Sequence, residues 1–143
     1  MPRSFVVAAS LIICTACGGG SGSSLYVSQV TPTPASPDNV FDCSRTTLDS
    51  MKYRSISLDL NDRQTTARHS RPDITVADPT FYQAFDAIDV AVNVSGTGQT
   101  DLELTGHTYF EYRTNVGPYQ AERPADDSVK VAVATLAAKC ATK

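Results

Sequence analysis

The sequence predicts an α+β domain, a small antiparallel sheet built on one long hairpin at about residues 87–113 with a C-terminal helix packed on its apolar face. The first observation is alternation. Ile88, Val90, Val92 and Val94 alternate with Asp89, Ala91, Asn93 and Ser95. After Gly96-Thr97-Gly98-Gln99-Thr100 the pattern resumes, with Leu102, Leu104, Gly106, Thr108, Phe110 and Tyr112 set against Asp101, Glu103, Thr105, His107, Tyr109, Glu111 and Arg113. A period of two on both sides of a glycine-containing loop marks a hairpin with one apolar and one polar face. The second observation is the stripe Val129, Val133, Leu136 and Cys140 in an alanine-rich segment with acidic residues at its start and Lys139 near its end. That charge order suits a helix dipole, and alanine favours a helix interior. Val129, Val131 and Val133 also alternate, so an all-β sandwich or barrel is the alternative, with helix preferred for 128–140.

Taken in order, residues 1–16 have the layout of a signal peptide: one positive charge at Arg3, then an apolar or small run from Phe5 to Ala16. The run breaks at Gly18-Gly19-Gly20, short of the roughly 20 apolar residues a membrane-spanning helix needs. Residues 17–38 are Gly/Ser-rich and then carry Thr31-Pro32-Thr33-Pro34-Ala35-Ser36-Pro37, which reads as a tether with a semi-rigid end. Leu25-Tyr26-Val27 and Val30 interrupt it, either as a stretch docked on the domain or as a clip for a partner. One globular domain is expected over 39–143. Within it Lys52 to Leu60 reads as a half-buried strand with Ile56, Leu58 and Leu60 on one face. Asn61 to Pro72 reads as a solvated polar loop and Ile74 to Ala77 as a short strand. Asp78-Pro79 reads as the cap and first residue of a short helix bearing Phe81 and Phe85, ending by about Asp86. Gly106 is expected to mark a bend or bulge, and Asn115-Val116-Gly117-Pro118 a turn.

The segment Cys14-Thr15-Ala16-Cys17 resembles the lipobox of bacterial lipoproteins, in which two small residues precede the cysteine that is lipidated. The resemblance covers about twenty residues. It implies that Cys17 carries diacylglycerol and an N-acyl chain, palmitate-like lipid whose buried methylenes contribute about 0.8 kcal/mol each, so that two or more chains anchor stably. It also implies a bacterial cell envelope location. Gly18 rather than Asp after the cysteine implies the outer membrane, facing the periplasm. With Cys14 removed and Cys17 lipidated, Cys43 and Cys140 remain in an oxidising compartment, and a disulfide between them is expected.

The net charge of −3, about −4 once Arg3 is removed, leaves no basic footprint, so no nucleic acid partner is expected. A composition 41% hydrophobic and 8% aromatic, without tryptophan, is ordinary for one small domain. His107 shares the polar hairpin face with Glu103, Tyr109, Glu111 and Arg113, where a carboxylate–imidazole pair is geometrically open but an ordinary mixed-charge strand face is the simpler reading. His69 with Arg63, Arg68 and Arg71 makes a small basic loop suited to an anion or a partner. Gly96-Thr97-Gly98 lacks the remaining glycine of a dinucleotide loop. Asp126-Asp127 lacks the alternating ligands of a calcium loop and is read as a helix cap. Asn93-Val94-Ser95 matches a glycosylation sequon by chance. No catalytic residue, metal or cofactor is therefore assigned. The expected function is a non-enzymatic, lipid-anchored structural or accessory subunit that binds membrane lipid through acylated Cys17 and an envelope protein through its domain. The alternative is a periplasmic binding or inhibitor module for a small ligand or an enzyme.

Overall fold

A computed structural model describes residues 24–141. The expected signal peptide, Cys17 and the first residues of the expected tether lie outside the described residues. Chain order is β1 Tyr26–Thr33, α1 Pro37–Ser50, β2 Arg54–Asp59, β3 Gln64–Ser70, β4 Phe81–Val94, β5 Thr100–Thr114, β6 Gly117–Arg123 and α2 Asp127–Cys140. The strands form one open antiparallel sheet in the order β1-β5-β4-β3-β2, with β6 also paired to β5. β1 lies along Thr100 to His107 of β5 and β6 along Thr108 to Thr114, so the two share one edge end to end. Both helices pack on the same face. The α+β class and the C-terminal helix are as expected, and the two helices and open sheet set aside the all-β alternative.

The hairpin is longer than 87–113. Ile88, Val90 and Val92 stand opposite Gly106, Leu104 and Leu102, and this register puts all six on the helix side. Val129, Val133 and Leu136 of α2 and Val40, Phe41 and Leu48 of α1 close the core over them. Gly106 corrects the expectation of a bulge, since its register is regular. A Cβ built there would lie 2.8 Å from Val129 Cγ2, 2.9 Å from Val133 Cγ2 and 2.9 Å from Val27 Cγ1. The glycine is the gap through which α2 descends onto the sheet, between stiff β-branched side chains.

Of the two readings of Leu25-Tyr26-Val27 and Val30, the stretch docked on the domain is the one found: Tyr26–Thr33 is a strand of the domain's own sheet, with Val27 packed on the core and Thr33 fully buried. Other local expectations are corrected. Pro37–Ser50 is a helix, with Ser36 as N-cap, Pro37 in its first turn and Val40, Phe41, Ser44, Thr47 and Leu48 on the buried face. Lys52 to Leu60 is not half-buried, because β2 is a sheet edge beyond the helices, leaving Ile56, Leu58 and Leu60 at 54%, 45% and 62% exposure. The expected polar loop holds strand β3, which tolerates its polar residues because Thr66 and Arg68 point to the uncovered face while Thr65 and Ala67 are buried. The strand expected at Ile74 to Ala77 is irregular chain, and the helix expected after Pro79 is the start of β4. Asp78 does not cap it: its Oδ1 accepts from Thr80 N and Oγ1, closing a turn that leads straight into the strand.

Cys43 on α1 and Cys140 on the last turn of α2 are disulfide-bonded, with Cα atoms 5.6 Å apart across 97 residues of sequence. A loop of that size makes the bond worth on the order of 4 kcal/mol in the chain-entropy account. The Cys43→Ser/Cys140→Ser double variant is expected to lose about 2–5 kcal/mol in urea unfolding. Gly106→Ala is expected to lose about 1–3 kcal/mol, because valine side chains must yield to the new methyl group. An unchanged midpoint would show that α2 does not need the close approach.

Candidate functional site

The helix side of the sheet carries one fully buried charge. Asp86 is in phase with Ile88, Val90 and Val92 and has no exposed surface. Its Oδ2 accepts from Arg71 Nη1 at 2.9 Å and its Oδ1 from Thr108 Oγ1 at 2.8 Å. Thr108 Oγ1 accepts from the Asp126 backbone N–H, and Asp126 Oδ2 accepts from Arg71 Nη1, so the hydrogen bonds close into a ring. The other carboxylate oxygen of Asp126 caps α2 by accepting from Ser128 N and Val129 N. Outside the ring Arg71 donates from Nε and Nη2 to both oxygens of Asp73. The hydrogen bonds to Asp73 above all, then those to Asp126 and Asp86, raise the Arg71 pKa well above its ordinary value against the opposing effect of burial. Asp73 is held below the usual carboxylate range by the same guanidinium. This arrangement orients a helix, and each side-chain polar atom of the ring named above has a protein partner.

Among the described residues, the other face of the sheet has no helix on it. There His107 Nδ1 lies 2.6 Å from Glu122 Oε1 on β6 and Nε2 lies 3.5 Å from Asp89 Oδ2 on β4. The carboxylate–imidazole pair therefore forms across strands, not with Glu103 or Glu111 of the same strand. Tyr26 and Tyr109 flank the imidazole, with ring centroids 5.9 and 5.7 Å away. Tyr109 has its hydroxyl pKa raised by burial and then by Glu122 and Asp89. Alongside runs a shallow trough of about 410 Å³ whose charged residues, Asp59, Asp89 and Glu103, are all acidic.

The residues read as one basic loop are separated. Arg63 pairs with Asp38 at 2.7 Å, Arg71 belongs to the buried ring, and Arg68 lies over the Phe85 ring with its guanidinium carbon 4.4 Å from the centroid. His69 faces the helix side, 5.2 Å from the Tyr53 ring, with Nδ1 3.3 Å from the Lys52 carbonyl. At this end of β2 and β3 a recess of about 790 Å³ wraps the sheet edge, with Lys52, Arg54, Arg68 and His69 around an apolar floor of Ile56, Pro72 and Phe85. Tyr53 also lines it. Its hydroxyl is buried without a hydrogen-bond partner, and burial, then the Asp86 charge, raises its pKa.

A third surface lies beyond the capped start of α2. On the helix side of β4, β5 and β6, Phe81 packs edge-on against Phe110 and Tyr112, Tyr112 stacks on Tyr119 at 5.3 Å, and the Arg123 guanidinium lies 5.3 Å from the Phe110 centroid. Phe81, Phe110 and Tyr112 are half-buried and Tyr119 is exposed. Among the described residues no group of three or more His, Cys, Asp or Glu is placed to hold a metal, and no helix is long and apolar enough to cross a membrane.

Arg71→Met is expected to destabilise the fold by about 3–5 kcal/mol at neutral pH, because Asp86 is left charged and buried beside Asp126. The pH dependence follows from Asp73, whose lowered pKa gives a contribution complete above about 3.8 and lost as pH falls below it. The gap between wild type and Arg71→Met should therefore shrink in acid. Urea midpoints measured from pH 3 to pH 7 check it; a gap that widens on acidification contradicts the assignment.

Comparison with family models gives no match, and comparison with curated protein sequences gives none. Among solved structures the chain is similar to a DUF4468 family protein from Bacteroides ovatus ATCC 8483, at 16% sequence identity, with 80% of this chain and 75% of that chain covered and a TM-score of 0.39.

Proposed function

We propose that the chain is a lipid-anchored lipoprotein of the bacterial cell envelope, held through acylated Cys17 at the outer membrane and facing the periplasm. Its domain acts without catalysis, as a structural or accessory subunit that binds an envelope protein. The anchor rests on Cys14-Thr15-Ala16-Cys17 and its resemblance to a lipobox. The observation that carries the binding role is the strip Phe81, Phe110, Tyr112 and Tyr119 with Arg123 beside it. Aromatic residues and arginine are the types enriched where protein interfaces concentrate their binding energy. Here they sit on rigid paired strands, so little side-chain entropy is lost on docking.

Two measurements test this reading. Intact mass of the chain recovered from the cells that make it should show residues 1–16 removed and Cys17 carrying diacylglycerol and acyl groups; an unmodified Cys17 peptide defeats the anchor. A photo-crosslinking residue at position 119 should capture one identified envelope protein, and Tyr112→Ala with Phe110→Ala should abolish that product. Capture that survives both substitutions would place the contact elsewhere.

A further inference from the structure

Three unfavourable local choices meet at the recess between α1, β2 and β3. The first is at the end of α1, where Tyr53 N donates to Leu48 O and Lys52 N to Asp49 O, the hydrogen bonds of a Schellman motif. The residue between the cap and Tyr53 must then be left-handed, and Lys52 stands there at φ 68° where glycine is the usual choice. The second is Tyr53, only 4% exposed, whose hydroxyl has no partner. A buried polar group left unpaired is destabilising, and phenylalanine would avoid it. The third is the register of β2 on β3, which sets Arg54 directly opposite Arg68. Like charges in that position repel.

Among the described residues the side chains of Lys52, Arg54 and Arg68 have no carboxylate partner, and Arg68 Nε is buried with no acceptor. Asp49 is the one acid lining the recess. Arg68 instead lies over Phe85, with its guanidinium carbon 4.4 Å from the ring centroid. Costs of this kind persist where a site, rather than stability, determines the residue.

We propose that this recess binds a small organic anion, a carboxylate or phosphate joined to a flat apolar body. The anionic group is held by Arg54, Arg68 and Lys52, while the apolar body lies against Ile56 and Pro72. The recess is of ligand size and combines a few convergent polar groups with an apolar floor. The inference stands apart from the anchor and from the aromatic strip, and needs neither.

The test is a nuclear magnetic resonance titration of the full chain in a neutral detergent, with phenyl phosphate and, separately, inorganic phosphate. Phenyl phosphate should give saturable shifts at the Arg68 Nε–H and at the backbone amides of Tyr53 and His69, and should bind about tenfold or more tightly than inorganic phosphate. Arg68→Gln and Arg54→Gln should each weaken it about tenfold or more. Lys52→Gly should raise the unfolding midpoint while weakening binding, which a merely structural role would not produce. Absence of saturable shifts, equal affinity for the two anions, or unchanged affinity in Arg68→Gln would each overturn the proposal.

Discussion

The ring of hydrogen bonds through Arg71, Asp86, Thr108 and Asp126 is the constraint on which the layering depends. It joins the segment after β3, the two long central strands and the first residue of the last helix. Asp86 occupies a core position where an apolar side chain would be the cheaper choice, and a buried carboxylate is tolerable only when fully paired. The pairing makes α2 begin at one place: its cap is the same residue that completes the ring. From that point Val129 and Val133 fall over Gly106, and Cys140 arrives beside Cys43 one disulfide away. Polar geometry sets the direction of α2, and apolar packing supplies its adhesion.

Much of this was legible because the central hairpin carries an uninterrupted period of two and α2 an uninterrupted stripe. The illegible parts have identifiable causes. Phe81, Phe85 and Ile88 imitate helical spacing, yet Phe85 and Ile88 lie on opposite faces of one strand, each paired to a different residue of β5. Ending a helix at Asp86 also hid the buried ring, whose signal was a carboxylate in phase with Ile88, Val90 and Val92. Ser36-Pro37 was a stronger helix start than Asp78-Pro79, but it stood in a proline-rich run that imitates a linker. The strand β3 is polar because one of its faces is bare, so composition alone could not distinguish it from a loop. The recess at Tyr53 left no trace in any local pattern, since Arg54 and Arg68 meet only through strand register.

The two faces of the sheet divide the chemistry. On the helix side the buried charge of Asp86 is internally satisfied, and the aromatic strip with Arg123 begins only where the helices stop. On the bare face histidine, carboxylates and hydroxyls pair across strands in contact with solvent, as the link from Thr66 through Asp89 to His107 and Glu122 illustrates. The recess wraps the sheet edge, with residues of both faces of β3, Arg68 and His69, in its lining.

The shared edge of β5 has a mechanical meaning. Ser24 leaves the sheet at the junction of β1 and β6, where its carbonyl accepts from Ala125 N. A pull on the chain at that point loads β1 first, and then α1. Peeling would stop at Cys43, because the disulfide passes the load to α2 and so into the centre of the core. The length released before that arrest is at most ~70 Å of extended chain. A domain tugged from its N-terminal end would give up one strand and part of one helix as slack and keep the rest of its architecture under tension.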